Sequence, residues 1–198
     1  MCSRCLSQLP RTAYHRWIDN PVKGRLAGRL PLRFAFAFLK FRKGGIVQNL
    51  LHELKYNNRP EIGTRIGNLY GQELNDGGFS GSFDLIVPVP LHHTRLRKRG
   101  YNQSAKFAEG LSQALGVPWE ESISIRLNAT TTQTRKGRAS RWQNVNAAFS
   151  SASGERIKGK RILLVDDVIT TGATLEACGQ HLIQSDCESL SVACIAEA

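Results

Sequence analysis

RILLVDDVITTGAT, residues 161–174, joins an aliphatic run to two acids and a hydroxyl-rich segment. Ile162 to Val165 is a short aliphatic run of the kind that forms a buried strand. It ends in two adjacent aspartates, Asp166 and Asp167. A segment of hydroxyls and glycine, Thr170 to Thr174, then leads into Leu175, Cys178, Leu182 and Ile183, which fall on one helical face. The stretch therefore predicts a strand, a polar turn and a helix in immediate succession.

The same alternation extends in both directions. DLIVPVP, 84–90, reads as a buried strand stopped by its prolines. Ser104, Ala108, Leu111 and Leu115 line a helix that Gly116 ends, ISIRL at 123–127 is a weaker strand, and LSVACIA at 190–196 is a closing strand. Upstream, FAFAFLKF at 34–41 alternates like a strand. Ile46, Val47, Leu50, Leu51 and Leu54 mark one helix. Ile62, Ile66, Leu69, Tyr70 and Leu74 mark another, closed by NDGG at 75–78. Residues 128–146 carry almost no apolar side chains and read as a long loop, either functional or disordered. Strands alternating with helices predict an α/β domain over 33–198, with a mainly parallel sheet flanked by helices. Residues 1–32, rich in Pro, Gly and Arg, are expected to form a small N-terminal arm.

Composition sets the outer bounds. The chain has 198 residues, 41% hydrophobic and 22% charged, as in a soluble globular domain. No apolar run reaches the roughly 18 residues of a membrane span, and MCSRCLSQLPRT lacks the apolar core of a secretory signal. The expected compartment is the cytoplasm. The net charge of +11 favours polyanionic partners. It gathers in three places: Arg95 to Arg99, Arg135 to Arg141, and Arg156 to Arg161. Cys178, Cys187 and Cys194 lack metal-like spacing and are expected in the core. Cys2 and Cys5 have the spacing of half a tetrahedral zinc site, with no second pair to complete it.

Asp166 and Asp167 stand where ligands bind in such sheets, at the carboxyl end of a strand. The helix start behind them offers free N–H groups and a positive dipole end, which suit phosphate. Carboxylates repel phosphate, but they suit a vicinal diol or a magnesium ion. A sugar phosphate satisfies both halves. Other readings fit less well. A response regulator needs about a hundred residues after its acids, from a typical domain size, and only 31 follow Asp167. GERIKGKR, 154–161, has P-loop spacing, but Arg161 replaces the Ser or Thr and a strand follows instead of a helix. Asp and Thr acting only as turn formers would explain a lone DD or TTG, but not the whole string.

LLVDDVITTGAT resembles the 5-phosphoribosyl pyrophosphate (PRPP) motif of type I phosphoribosyltransferases. VPVPLHHTRLRKRGYNQS at 87–104 and the segment with Gln133, Thr134, Arg141, Asn144 and Val145 resemble the ComF branch of that superfamily, as does LKY at 54–56. The resemblance implies a type I phosphoribosyltransferase-like fold and a set of roles. Asp166 and Asp167 would hold the ribose, with Mg2+ nearby. Thr170, Thr171, Gly172, Ala173 and Thr174 would hold the 5′-phosphate. Lys98, Arg99 and Gly100 would meet pyrophosphate, and the long loop with Gln133, Arg138, Arg141 and Asn144 would be a hood. ComF proteins begin with two C-x-x-C pairs binding Zn2+, so Cys2 and Cys5 are expected to be the remnant of such a module.

The function implied is recognition or transfer of phosphoribosyl groups from PRPP, or binding of ribose 5-phosphate, in a protein linked to DNA uptake in natural transformation. The alternative is a non-catalytic factor for single-stranded DNA, acting with competence proteins on a retained fold. No catalytic residue is assigned.

Overall fold

The computed structural model describes residues 6–121 and 151–198. Cys2, Cys5, the strand expected at 123–127, and Gln133, Arg138, Arg141 and Asn144 lie outside the described residues.

A four-stranded parallel sheet forms the centre, in the order β1-β4-β3-β2. Its strands are β1 (Leu32–Lys40), β2 (Leu85–Pro88), β3 (Arg161–Ile169) and β4 (Ser189–Glu197). The helices are α1 (Pro21–Leu26), α2 (Ile46–Tyr56), α3 (Glu61–Asp76), α4 (His93–Arg99), α5 (Gln103–Leu115), α6 (Ser151–Ile157) and α7 (Ala173–Gln184). The α/β architecture read from the sequence is the one observed. Alternate strand residues supply opposite faces, as the two-residue repeat of a strand requires. Phe36, Phe38, Leu163 and Val165 pack under α2, α3 and α5. Ala35, Ala37, Ile162 and Leu164 pack under α1 and α7. Both sheet edges are covered. Residues 10–12 pair with the outer side of β1 through Thr12 N to Phe38 O (2.9 Å) and Lys40 N to Pro10 O (2.8 Å). Pro118 and Glu120 do the same for β2 at Ile86.

From Leu6 onward, the segment set apart by the sequence joins this core. Tyr14, Val22, Leu26 and Leu30 are buried in the cluster that contains Leu164 and Val192. Asn20 anchors α1. Its Oδ1 accepts from Val22 N and Lys23 N, both at 3.1 Å, while its Nδ2 donates to Ala35 O at 2.8 Å. Pro21 occupies the first helical position, where its missing N–H costs nothing.

Two differences from the sequence reading shape the site. β3 does not stop at Val165. It continues to Ile169 because β4 runs beside it as far as Glu197, pairing Asp166 with Cys194. β2 ends opposite Val165, so that flank of β3 opens where the two acids begin. Arg95 to Arg99, a basic cluster to which the sequence reading gives no helix, form the exposed helix α4, with no buried residue, ended by Gly100 at φ 83°. The P-loop-like spacing of 154–161 runs from the end of α6 into β3, the reverse of a P-loop's strand-to-helix order.

α5 is held in place by close backbone contact with α3. A Cβ on Gly67 would lie 2.3 Å from Phe107 O, and one on Gly110 would lie 2.0 Å from Thr64 O. The helices touch only because both positions lack a side chain. This contact fixes the first turn of α5 against the carboxyl end of β3.

Candidate functional site

Four elements meet at the open end of β3. Asp167, buried at 7% exposure, receives Lys55 Nζ from the end of α2 at 2.8 Å and Gln103 Nε2 from α5 at 2.7 Å, both on Oδ2. Asp166 Oδ1 accepts from Ser104 Oγ at 2.9 Å and from the Asp167 backbone N–H at 2.8 Å. Asn102 caps α5 through Ser104 N (3.0 Å) and ties that cap to Val89 O (3.0 Å). Thus Asn102 serves the helix and Gln103 serves the acids, two roles that sequence alone does not separate. Arg99 Nη1 donates to Gln103 Oε1, which extends the chain of contacts from Asp167 to α4.

Asp166 keeps part of its surface open to the cleft, yet enough protein surrounds it that burial raises its carboxyl pKa. The neighbouring Asp167 carboxylate pushes in the same direction. One cation, Lys55, reaches the pair directly, through Asp167. Asp166 uses only Oδ1 in these bonds. A hard divalent cation that keeps water and phosphate oxygens in its shell suits such an oxygen-only donor pair. Among the described residues there is no cluster of three or more His, Cys, Asp or Glu able to hold a metal.

The phosphate-loop residues follow directly. Thr170, Thr171, Ala173 and Thr174 are exposed, and Gly172 is buried at φ 78°. Gly172 has no side chain to cap α7, and the Ala173 N–H donates to Thr171 Oγ1 at 3.4 Å, within the loop itself. The cleft beside the acids, of roughly 500 Å³, is lined by Asp166, Asp167, Gln103, Arg95, Arg99 and Thr174, among others. A smaller hollow of roughly 30 Å³ joins Asp166 to Thr170 through Leu175. The two have Asp166, Val168 and Thr174 in common, so the halves of the motif border adjoining hollows.

The basic residues divide between two spaces. Arg99 borders the acid cleft, together with Arg95. Lys98 and Gly100 border a neighbouring cavity of roughly 720 Å³ with Lys55, Tyr56, Arg95, Arg97 and Arg99. The Arg99 guanidinium lies 5.7 Å from the Tyr56 ring centroid. Lys55 and Tyr56 come from LKY, a stretch the sequence marks but gives no role. Among the described cysteines, Cys178 and Cys194 are fully buried free thiols and Cys187 is partly buried.

Residues 101–198 match the model of the phosphoribosyl transferase domain family. The competence protein F of Haemophilus influenzae is 35% identical over 153 residues, 75% of this chain and 67% of that protein. The DNA utilization protein YhgH of Salmonella typhi is 33% identical over 149 residues, 74% of this chain and 65% of that protein. The chain thus spans about two thirds of the length of these relatives. The solved glutamine PRPP amidotransferase from B. subtilis, complexed with ADP and GMP, is 21% identical with a TM-score of 0.47, covering 73% of this chain and 30% of that one.

Proposed function

The chain belongs to the ComF family of the type I phosphoribosyltransferase superfamily, and from that membership we propose that it binds PRPP with Mg2+ at the cleft of Asp166 and Asp167. The observation that carries this reading is adjacency. The acid pair and the start of α7 border two adjoining hollows that have Asp166, Val168 and Thr174 in common. A diol or cation suits the first half and a phosphate suits the second. Ribose then falls to Asp166 and Asp167, and the 5′-phosphate to Thr170 through Thr174. Pyrophosphate falls to Lys98, Arg99 and Gly100, with Arg95 beside them and Gln133, Arg138, Arg141 and Asn144 as the hood.

Mg2+, when bound, would neutralise charge on the departing pyrophosphate. Transfer at this site would otherwise rest on placement and electrostatics. Lys55 and Gln103 hold Asp167 in orientation, Ser104 holds Asp166, and Arg95 and Arg99 supply positive charge in the same cleft. The test is calorimetric titration of PRPP with and without Mg2+. Saturable, Mg2+-dependent binding supports the reading, and no binding at millimolar PRPP contradicts it.

One observation favours a second reading, handling of single-stranded DNA. α4 buries nothing and presents Arg95, Arg97 and Lys98, while Tyr56 beside it is 66% exposed. Cations with an exposed aromatic ring are the equipment of a strand-tracking site. Two matched relatives carry the names DNA utilization protein and competence protein F. Under this reading the chain works with competence proteins, and Zn2+ at Cys2 and Cys5 is held only where further ligands complete the site. DNA affinity would fall log-linearly with salt, by about 0.7 per phosphate contacted. An affinity independent of salt would remove it.

A further inference from the structure

The phosphate loop is braced from behind by two arginines that do not line the ligand cleft. Arg25 Nη1 donates to Thr170 O at 2.6 Å, Ala198 O at 2.8 Å and Ile169 O at 3.3 Å. Arg25 Nη2 meets Glu197 Oε1 at 3.0 Å. Arg29 Nη1 donates to Thr171 O at 2.7 Å, and its Nε meets Glu176 Oε2 at 2.8 Å. Both come from the N-terminal segment, Arg25 from α1 and Arg29 from the turn after it.

These bonds dictate which way the loop faces. In a planar trans peptide the carbonyl of one residue and the N–H of the next point in opposite directions. Holding the carbonyls of Ile169, Thr170 and Thr171 toward the arginines turns the N–H groups of Thr170, Thr171 and Gly172 away from them. The guanidiniums also cover the carbonyl oxygens of Ile169, Thr170 and Thr171 and the Glu176 carboxylate, all of which would repel an anion. Glu197, 2% exposed, fixes Arg25 in turn and is itself held by Tyr14 Oη at 2.7 Å and Lys40 Nζ at 2.9 Å. α1 lies directly beneath, and Leu26 fills the space a Cβ on Gly172 would need.

We propose that Arg25 and Arg29 are positioning residues that hold the Thr170–Thr174 loop in its anion-binding conformation without touching the anion. This rests on the phosphate-loop reading above, and the N-terminal segment becomes part of the binding apparatus. The affinity of the full chain for ribose 5-phosphate and for inorganic phosphate would be measured in Arg25→Met, Arg29→Met, Arg25→Lys and Arg29→Lys, with amide NMR shifts of Thr171 to Thr174 read during each titration. The methionine variants should bind at least about tenfold more weakly and lose the phosphate-induced shifts, and the lysine variants should recover part of both. If the methionine variants do not fold, the lysine variants carry the test, with an intermediate affinity expected. Parent-like affinity in all folded variants overturns the positioning role and leaves the phosphate loop standing. Failure of the parent to bind either ligand overturns both. A fall in thermal stability with unchanged affinity and shifts would show a structural brace only, and also overturns the proposal.

Discussion

Lys55 Nζ lies 2.8 Å from Asp167 Oδ2, joining the end of α2 to the carboxyl end of β3. This contact places a cation against the acid pair. Lys55→Met would leave Asp167 partly buried, with Gln103 as its remaining side-chain donor. We expect a loss of about 2 kcal/mol, below the 3–5 kcal/mol of a fully buried broken pair because both side chains keep some solvent contact. Thermal denaturation would show it. Added Mg2+ should raise the melting temperature of the variant more than that of the parent. A variant as stable as the parent, and no more responsive to Mg2+, would show that the pair contributes nothing.

Gly172 is required by the fold before any ligand arrives. Its φ of 78° is strained for an L side chain, and a Cβ there would lie 2.7 Å from Leu26 Cδ2. Gly172→Ala should cost about 1–2 kcal/mol in denaturant titration, with or without phosphate. In a cycle with Leu26→Ala the double variant should lose less than the sum of the singles. Strict additivity would show that the two positions do not press on each other.

The α3–α5 contact should tolerate no bulk. Gly110→Ala places a methyl 2.0 Å from Thr64 O and 2.7 Å from Asn68 N, both backbone atoms. The helices would have to separate, at a cost of at least about 3 kcal/mol by unfolding measurements. Asn102, Gln103 and Ser104 would move with α5, so ribose 5-phosphate binding should weaken together with stability. A fully stable Gly110→Ala protein would contradict the packing described.

Acid should destabilise the chain partly through Asp84. Its Oδ1 meets Arg161 Nη2 at 2.6 Å and its Oδ2 accepts from Arg161 Nε (2.9 Å) and N (2.8 Å). These bonds pull its carboxyl down to about 2 from its ordinary value of 3.8. A depressed pKa contributes stability that is fully present above the ordinary value and is lost as pH falls through the folded value. The window is therefore from about pH 4 down to about pH 2. Allowing for solvent screening, the contribution is about 1 kcal/mol. Asp84→Asn should flatten the pH dependence of the unfolding free energy in that window, and an unchanged slope would assign the acid sensitivity elsewhere.

What the sequence makes legible is what neighbouring residues decide. β3, the polar loop and α7 are contiguous, so their order over 162–183 reads from spacing alone. The reach of β3 to Ile169 is not local, because it depends on β4 running alongside to Glu197. Lys55 and Arg25 are ordinary surface cations by composition, and only the packing of α2 and α1 on the sheet brings them to Asp167 and Thr170. Counting apolar positions passes over Gly63, Gly67 and Gly71, since glycine adds nothing to hydrophobic periodicity. Their four-residue spacing is nevertheless the sequence trace of the face that α5 occupies.

PRPP titration of the Asp166→Asn, Asp167→Asn double variant in the presence of Mg2+ isolates the role of the acid pair. Asparagine preserves shape while removing the charge that attracts a cation and half of each group's acceptor capacity. With the fold verified by circular dichroism, PRPP affinity should fall at least about tenfold, or roughly 1.4 kcal/mol, and its dependence on Mg2+ should disappear. A folded double variant that binds PRPP as tightly as the parent, with the same Mg2+ dependence, would contradict the account.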